Sequence, residues 1–162
     1  MPGRVTPPAA EIIQAWLDAQ PDLQAERVGD GGWFVALRGE RKRTIPAHLL
    51  LGAHTLVIES LFMRAPDENP GAVYAYLLRR NLRSYLFRFA LSDAGDVLLV
   101  AVVPVHAVTA DELDRLIGAL LYTADETFNA ALRIGFASYI DREQDWRRRV
   151  GAPVNPITRD LQ

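Results

Sequence analysis

Apolar residues along the first third of the chain change their spacing. In AAEIIQAWLDAQ, Ile12, Ile13, Trp16 and Leu17 recur at the intervals of one helical face, and Pro21 stops the run. From Leu23 onward the spacing shortens. LQAERV, WFVALRG and RTIPAHLLL read as successive antiparallel strands, joined by the turns GDGG and ERK. Pro46 lies inside the third run and has no N–H for a ladder, which predicts an edge position or a bulge there. In HTLVIESLFMR, Leu56, Ile58 and Phe62 alternate with Val57, Glu59 and Met63, and Leu61 makes both faces partly apolar.

The stretch FMRAPDENPGAVYAYLLRRN, from Phe62 to Asn81, reads as the end of that strand and the start of a helix of about three turns. Asn69 followed by Pro70 predicts the helix start, because the asparagine side chain can accept from free backbone donors and proline at the first position loses none. Asp67 and Glu68 stand beside the positive end of the helix dipole and Arg79 and Arg80 at its negative end, while Asn81 suits a left-handed residue after it. Val73, Tyr74, Leu77 and Leu78 form the predicted inward stripe. Ala72, Ala75, Tyr76 and Arg79 project to the other side, where they read either as a partner or dimer interface or as a solvated face of good helix formers.

SYLFRFAL, the turn SDAGD and VLLVAVV predict a second hairpin. Thr109-Ala-Asp-Glu112 then has the capping-box pattern, in which the hydroxyl and the carboxylate each satisfy a backbone donor. Leu113, Leu116, Ile117, Leu120, Leu121, Ala124, Phe128 and Leu132 form one stripe of the helix it opens. Gly135 ends or bends that helix, and FASYIDREQDWRRRV continues as a second piece. The predicted fold class is α+β, in the order α-β-β-β-β-α-β-β-α-α, with no internal repeat or linker. One domain is expected over residues 1–150, followed by a loosely ordered tail over residues 151–162 that contains two prolines.

The composition fits a single globular domain: of 162 residues, 49% are hydrophobic and 23% charged. A net charge of −2 gives no global field for nucleic acid or anionic lipid. The absence of cysteine excludes disulfides, thiolate metal sites and cysteine nucleophiles, and fits a reducing cytoplasm. The first residues, MPGRVTPPAAEIIQAWL, have no continuous apolar core and do not read as a signal peptide. The most apolar run, Val97 to Val103, is too short for a bilayer that needs about 20 residues.

Candidate chemistry is sparse. His48, His54 and His106 lack the spacing of a helical metal site, although His48 and His54 can approach across a hairpin with Glu59 downstream. The GDGG turn lacks the ending of a phosphate-binding loop, and Phe34 stands where a dinucleotide motif requires its third glycine. No serine sits in a nucleophile elbow, while a triad assembled from distant residues is invisible to local patterns. Arg38, Arg41, Lys42 and Arg43 crowd one turn and Arg147, Arg148 and Arg149 end the last helix; nucleic-acid binding would need Trp33 and Trp146 to share a surface with them. The expectation is no catalytic residue, no metal and no cofactor.

The segments FMRAPDEN and V-Y-x-x-L-L-x-R-N, together with GDVLLV, VTADELDRLIGALL, ADETFN and IGFA further on, resemble the YbjN family of small bacterial proteins over about residues 10–150. That resemblance implies a fold like that of type III secretion chaperones, with a curved antiparallel sheet and helices packed beside it. It also implies a non-enzymatic, often dimeric protein-binding module, chaperone- or adaptor-like, with loose links to regulation and stress responses. The alternative is a ligand-sensing regulatory domain, whose sign would be an apolar pocket with a few convergent polar groups.

Overall fold

A computed structural model describes residues 8–159, with side chains as far as residue 157. The residues before Pro8, part of the segment weighed as a signal peptide, and the last residues of the tail lie outside that range. The elements are α1 (Ala9–Asp18), β1 (Gln24–Val28), β2 (Gly32–Leu37), β3 (Ile45–Leu51), β4 (Thr55–Met63), α2 (Pro70–Asn81), β5 (Arg88–Leu91), β6 (Val97–Pro104), α3 (Ala110–Gly135), α4 (Ala137–Val150) and α5 (Pro156–Arg159), with a 3-10 turn at Val105–Ala107. The expected α+β order is present, extended by the short α5.

The six strands form one antiparallel sheet in the order β1-β2-β3-β4-β6-β5. Strand alternation sends Val35, Ala47, Leu49, Ile58 and Leu99 to one face, where each is fully buried with Leu113, Leu116 and Leu120 of α3. Two indoles tie α1 into this core. Trp16 Nε1 donates to Asp114 of α3 at 2.7 Å, and Trp33 Nε1 donates from β2 to Gln14 of α1 at 2.9 Å. Each buried ring therefore keeps a partner for its polar atom. Phe62 joins the sheet to α3 through edge-on contacts with Phe89 at 5.0 Å and Phe128 at 5.8 Å.

Several local expectations are corrected. Asn69 does not cap α2 with its side chain: it adopts a left-handed backbone (φ 50°), and its amide donates to the Ile134 carbonyl. Glu68 serves α4 instead, accepting from the Ser138 N–H at 2.6 Å and the Ser138 hydroxyl at 3.1 Å, so an acid caps a helix 70 residues downstream. Asp67 holds Arg64 in a two-pronged pair. Asn81 is helical and followed by a right-handed Leu82 rather than being left-handed itself.

β5 begins only at Arg88, because Leu86 takes a positive φ of 56°. Met63 is buried beside Phe62 rather than opposite it, since the ladder with β6 shifts between Leu61 and Met63. Leu78, expected inside, is 61% exposed. Only half of the capping box forms: Thr109 Oγ1 accepts from the Glu112 N–H, while the Glu112 carboxylate accepts from Tyr85 and Arg115. Gly135 does end α3. A Cβ there would meet Pro66 at 2.9 Å and Val73 at 3.1 Å, so only glycine allows this close approach without a shift.

Pro46 pairs with Ala36 of β2, but the ladder between β3 and β4 runs only from His48–Glu59 to Leu51–Leu56. On its β4 side, β3 is therefore an edge at Pro46, which accommodates the missing N–H.

Candidate functional site, an uncovered sheet face and an adjoining cleft

Antiparallel sheets with one solvated face ordinarily alternate apolar inside and polar outside. This sheet does not. The face turned away from the buried core carries, across its central row, Glu26, Phe34, His48, Glu59, Val100 and Arg88 in strand order. A second row joins Val28, Gly32, Leu50, Val57 and Val102, and a third includes Leu61 beside Leu98. Leu50 is 50% exposed and Val102 56% exposed, and Val28 and Leu61 are also large exposed apolar residues. His48 leans on Phe34, with ring centres 5.0 Å apart. Among the described residues neither Glu26 nor Glu59 has an ion-pair partner. An exposed surface of apolar residues, with His48 and Glu59 at its centre and Glu26 and Arg88 at its edges, has the mixed composition of a protein-contact surface.

A cleft of about 410 Å³ opens beside the end of β4. Leu61, Phe62, Met63, Phe128, Phe136 and Ile140 supply its apolar walls, with Lys42, Arg64 and Glu143 among its polar groups. Lys42 is placed by Asp125 of α3, whose Oδ1 accepts from the Arg41 and Lys42 backbone N–H groups at 2.7 and 2.9 Å. The Lys42 ammonium lies 4.8 Å from the Phe128 ring centre. The ring favours the cation, but burial opposes it and prevails, holding the Lys42 pKa below the usual lysine value. Arg64 stacks on Phe136 at 4.3 Å. Its hydrogen bonds with Asp67 raise the arginine pKa and lower that of the carboxyl. In the tail, Asn155 is buried; its side-chain amide donates to Glu143 at 2.7 Å and its backbone N–H to the Gln144 side-chain oxygen at 2.9 Å, while its own Oδ1 accepts from the Ile157 N–H at 3.0 Å and so places Ile157 in the cleft wall.

The residues singled out in the sequence are scattered. On α2, Ala72 and Arg79 are exposed, while Ala75 and Tyr76 are half-buried and Tyr76 packs against the core. His48 stands directly across from Glu59, but His54 lies in the turn before β4 and His106 in the 3-10 turn. Among the described residues, no three His, Asp or Glu side chains cluster closely enough to hold a metal ion. Trp33 is buried and Trp146 exposed, so they form no common stacking surface. Among the described residues, no helix is long and apolar enough to cross a membrane. Sequence reasoning missed the uncovered face as a site, although Leu61 in a two-sided strand pattern was its signal. It also missed the cleft, whose walls come from segments far apart in the chain.

Residues 9–133 match the model of a family described as "YbjN: Putative bacterial sensory transduction regulator". The chain belongs to the YbjN family. An uncharacterized protein of Mycobacterium bovis is 40% identical over 155 residues, covering 93% of this chain and 85% of that protein. An uncharacterized protein of Mycobacterium leprae is 39% identical over 123 residues, covering 76% and 67%. Among solved structures, a chain of the heterodimeric complex ExoU–SpcU from the type III secretion system of Pseudomonas aeruginosa aligns with a TM-score of 0.53 at 22% identity. The alignment covers 77% of this chain and 98% of that one, and it bears on the fold alone. This YbjN chain thus has the type III secretion chaperone-like architecture that the family resemblance implied.

Proposed function

We propose that this YbjN protein is a non-enzymatic, regulatory protein-binding module of the cytoplasm, and that its working surface is the uncovered sheet face. The observation that carries this reading is the set of large apolar residues exposed on the sheet face that, among the described residues, no helix covers. Leaving Leu50, Val57, Leu61 and Val102 in water forgoes roughly 25 cal/mol per Å² that a covering protein would recover. The experiment is affinity capture from the protein's own cytoplasm, run beside Val57→Glu and followed by quantitation of stoichiometric partners, including untagged copies of the chain. Loss of a bound protein with Val57→Glu supports the reading. A partner set identical for both proteins, or no partner at all, overturns it.

A second reading, a ligand-sensing domain, is favoured by the cleft, where Lys42 and Arg64 flank apolar walls suited to a small amphiphilic acid. A fatty acid well above its dissociation constant then raises the melting midpoint, and Phe128→Trp, which fills the cleft, removes the rise. An unmoved midpoint across chain lengths rules this reading out.

A further inference from the structure

The charges on the uncovered face are arranged with a symmetry that names what covers it. Across the central row the order is Glu26 on β1, Phe34 on β2, His48 on β3, Glu59 on β4, Val100 on β6 and Arg88 on β5. Read from the gap between β3 and β4 outward, the two halves are complementary. An imidazole answers a carboxylate, an aromatic residue answers an aliphatic one, and a carboxylate answers a guanidinium.

We propose that a second copy of this chain covers the face, related by a two-fold axis that lies between the two sheets and runs along the strands at the β3–β4 gap. This rests on the protein-binding reading of the same face and specifies its partner. Rotation about that axis lays β3 over the second copy's β4, β2 over its β6 and β1 over its β5. His48 then faces Glu59, Phe34 faces Val100, and Glu26 faces Arg88, each twice, as an isologous interface requires. In the neighbouring row Leu50 faces Val57 and Gly32 faces Val102, so apolar groups meet apolar groups. No other two-fold along the strands pairs all six positions of the central row.

The size is adequate. Six strands about 4.8 Å apart, with three rows of side chains, give a flat footprint of roughly 500–600 Å². Side chains standing on that footprint enlarge its accessible area toward the ~800 Å² per partner of a stable interface. Two sheets stacked about 10 Å apart and within about 30° of parallel are a common packing. Arg88 Nη1 donates to the Ser84 and Phe87 carbonyls at 2.8 Å, so the exposed side chain exchanges these bonds for the carboxylate of the second copy when it reaches across.

The experiment is sedimentation of wild type, Glu26→Arg and Arg88→Glu, each alone and then the two variants mixed. Wild type is expected to be a dimer at roughly 100 µM. Each reversal places like charges at both ends of the row and weakens self-association by roughly tenfold. The equimolar mixture restores a one-to-one heterodimer, because each variant supplies the charge the other now needs. Positions 26 and 88 lie on opposite edges of one sheet, so repair within a chain does not produce this result, and recovery in the mixture shows that both variants fold. A monomeric wild type overturns the inference, as does a dimer indifferent to the reversals or a mixture that fails to associate. If wild type is monomeric yet Val57→Glu still loses a captured protein, the face binds a different protein and only the second-copy assignment fails.

Discussion

Asp125 offers the sharpest test of how α3 shapes the cleft. Its side chain is only 14% exposed, and one oxygen receives two backbone N–H groups of the turn between β2 and β3. The turn also closes through the Gly39 N–H and the Lys42 carbonyl at 3.1 Å. Hydrogen bonds to a charged group contribute about 1.5–3 kcal/mol each, and bonds sharing one acceptor fall at the low end. The ion pair of Asp125 with the exposed Arg41 adds little. Asp125→Ala should therefore cost about 3 kcal/mol, and Asp125→Asn about half of that, because the amide oxygen still accepts. In urea, with a slope near 2 kcal/mol/M, the alanine variant unfolds about 1.5 M earlier. A Cβ on Gly39 would press on the same Asp125 oxygen as well as on the Lys42 carbonyl, so Gly39→Ala disturbs the same contact. The double variant should then be less destabilised than the sum of the two singles by about 1 kcal/mol or more. A loss below about 0.5 kcal/mol for Asp125→Ala, or strict additivity with Gly39→Ala, would refute the clamp.

Three further outcomes follow from the same contacts. Lys42→Met should stabilise at pH 7 by less than about 1 kcal/mol, since solvent screens part of the burial cost. Burial lowers the Lys42 pKa in the folded protein, so between that value and the unfolded one the unfolded chain holds more protons and wild-type stability rises with pH. The advantage of Lys42→Met must therefore shrink as pH approaches 10.5, and paired melts at pH 7 and pH 10 read it. Asn81→Ala strips Phe89 of its N–H acceptor at 2.7 Å and should cost about 1–2 kcal/mol in urea titration. On α2, Tyr76→Glu should lower stability by about 1–2 kcal/mol through lost packing, whereas Ala72→Glu at an exposed site should leave it within about 0.5 kcal/mol and weaken partner capture if that face joins the contact.

What the sequence disclosed was whatever depends on neighbours. The stripe from Leu113 to Leu132 and the alternation in β2, β4 and β6 are local periodicities, and they became the core. Hydrogen bonds that span the chain left no such trace. The Glu68 carboxylate reads as a cap for the helix directly after it, yet it closes α4, because Asn69 turns left-handed and brings Glu68 to Ser138. Asp125 looks like an ordinary helix-surface acid until the turn at Arg41 folds onto it, 84 residues away. The uncovered face falls between these cases. Its apolar residues are visible as a pattern without a clean polar side, but only the strand order shows that they adjoin and that Glu26 and Arg88 end the same row.

The two rims of the sheet are finished differently. At the β5 rim the Asn81 side chain occupies the backbone of Phe89, accepting from its N–H and donating to its carbonyl at 3.5 Å, so a helix residue fills the place a further strand would take. At the β1 rim all five residues are exposed, and among the described residues no strand pairs with β1 on its outer side. A chain with two open rims can add copies head to tail without limit, since each β1 would find a fresh β5. With the Phe89 backbone already occupied, the β5 rim offers an incoming strand less than the β1 rim does, which disfavours head-to-tail addition. Asn81→Ala should therefore leave the Phe89 backbone open to an incoming strand as well as loosen β5.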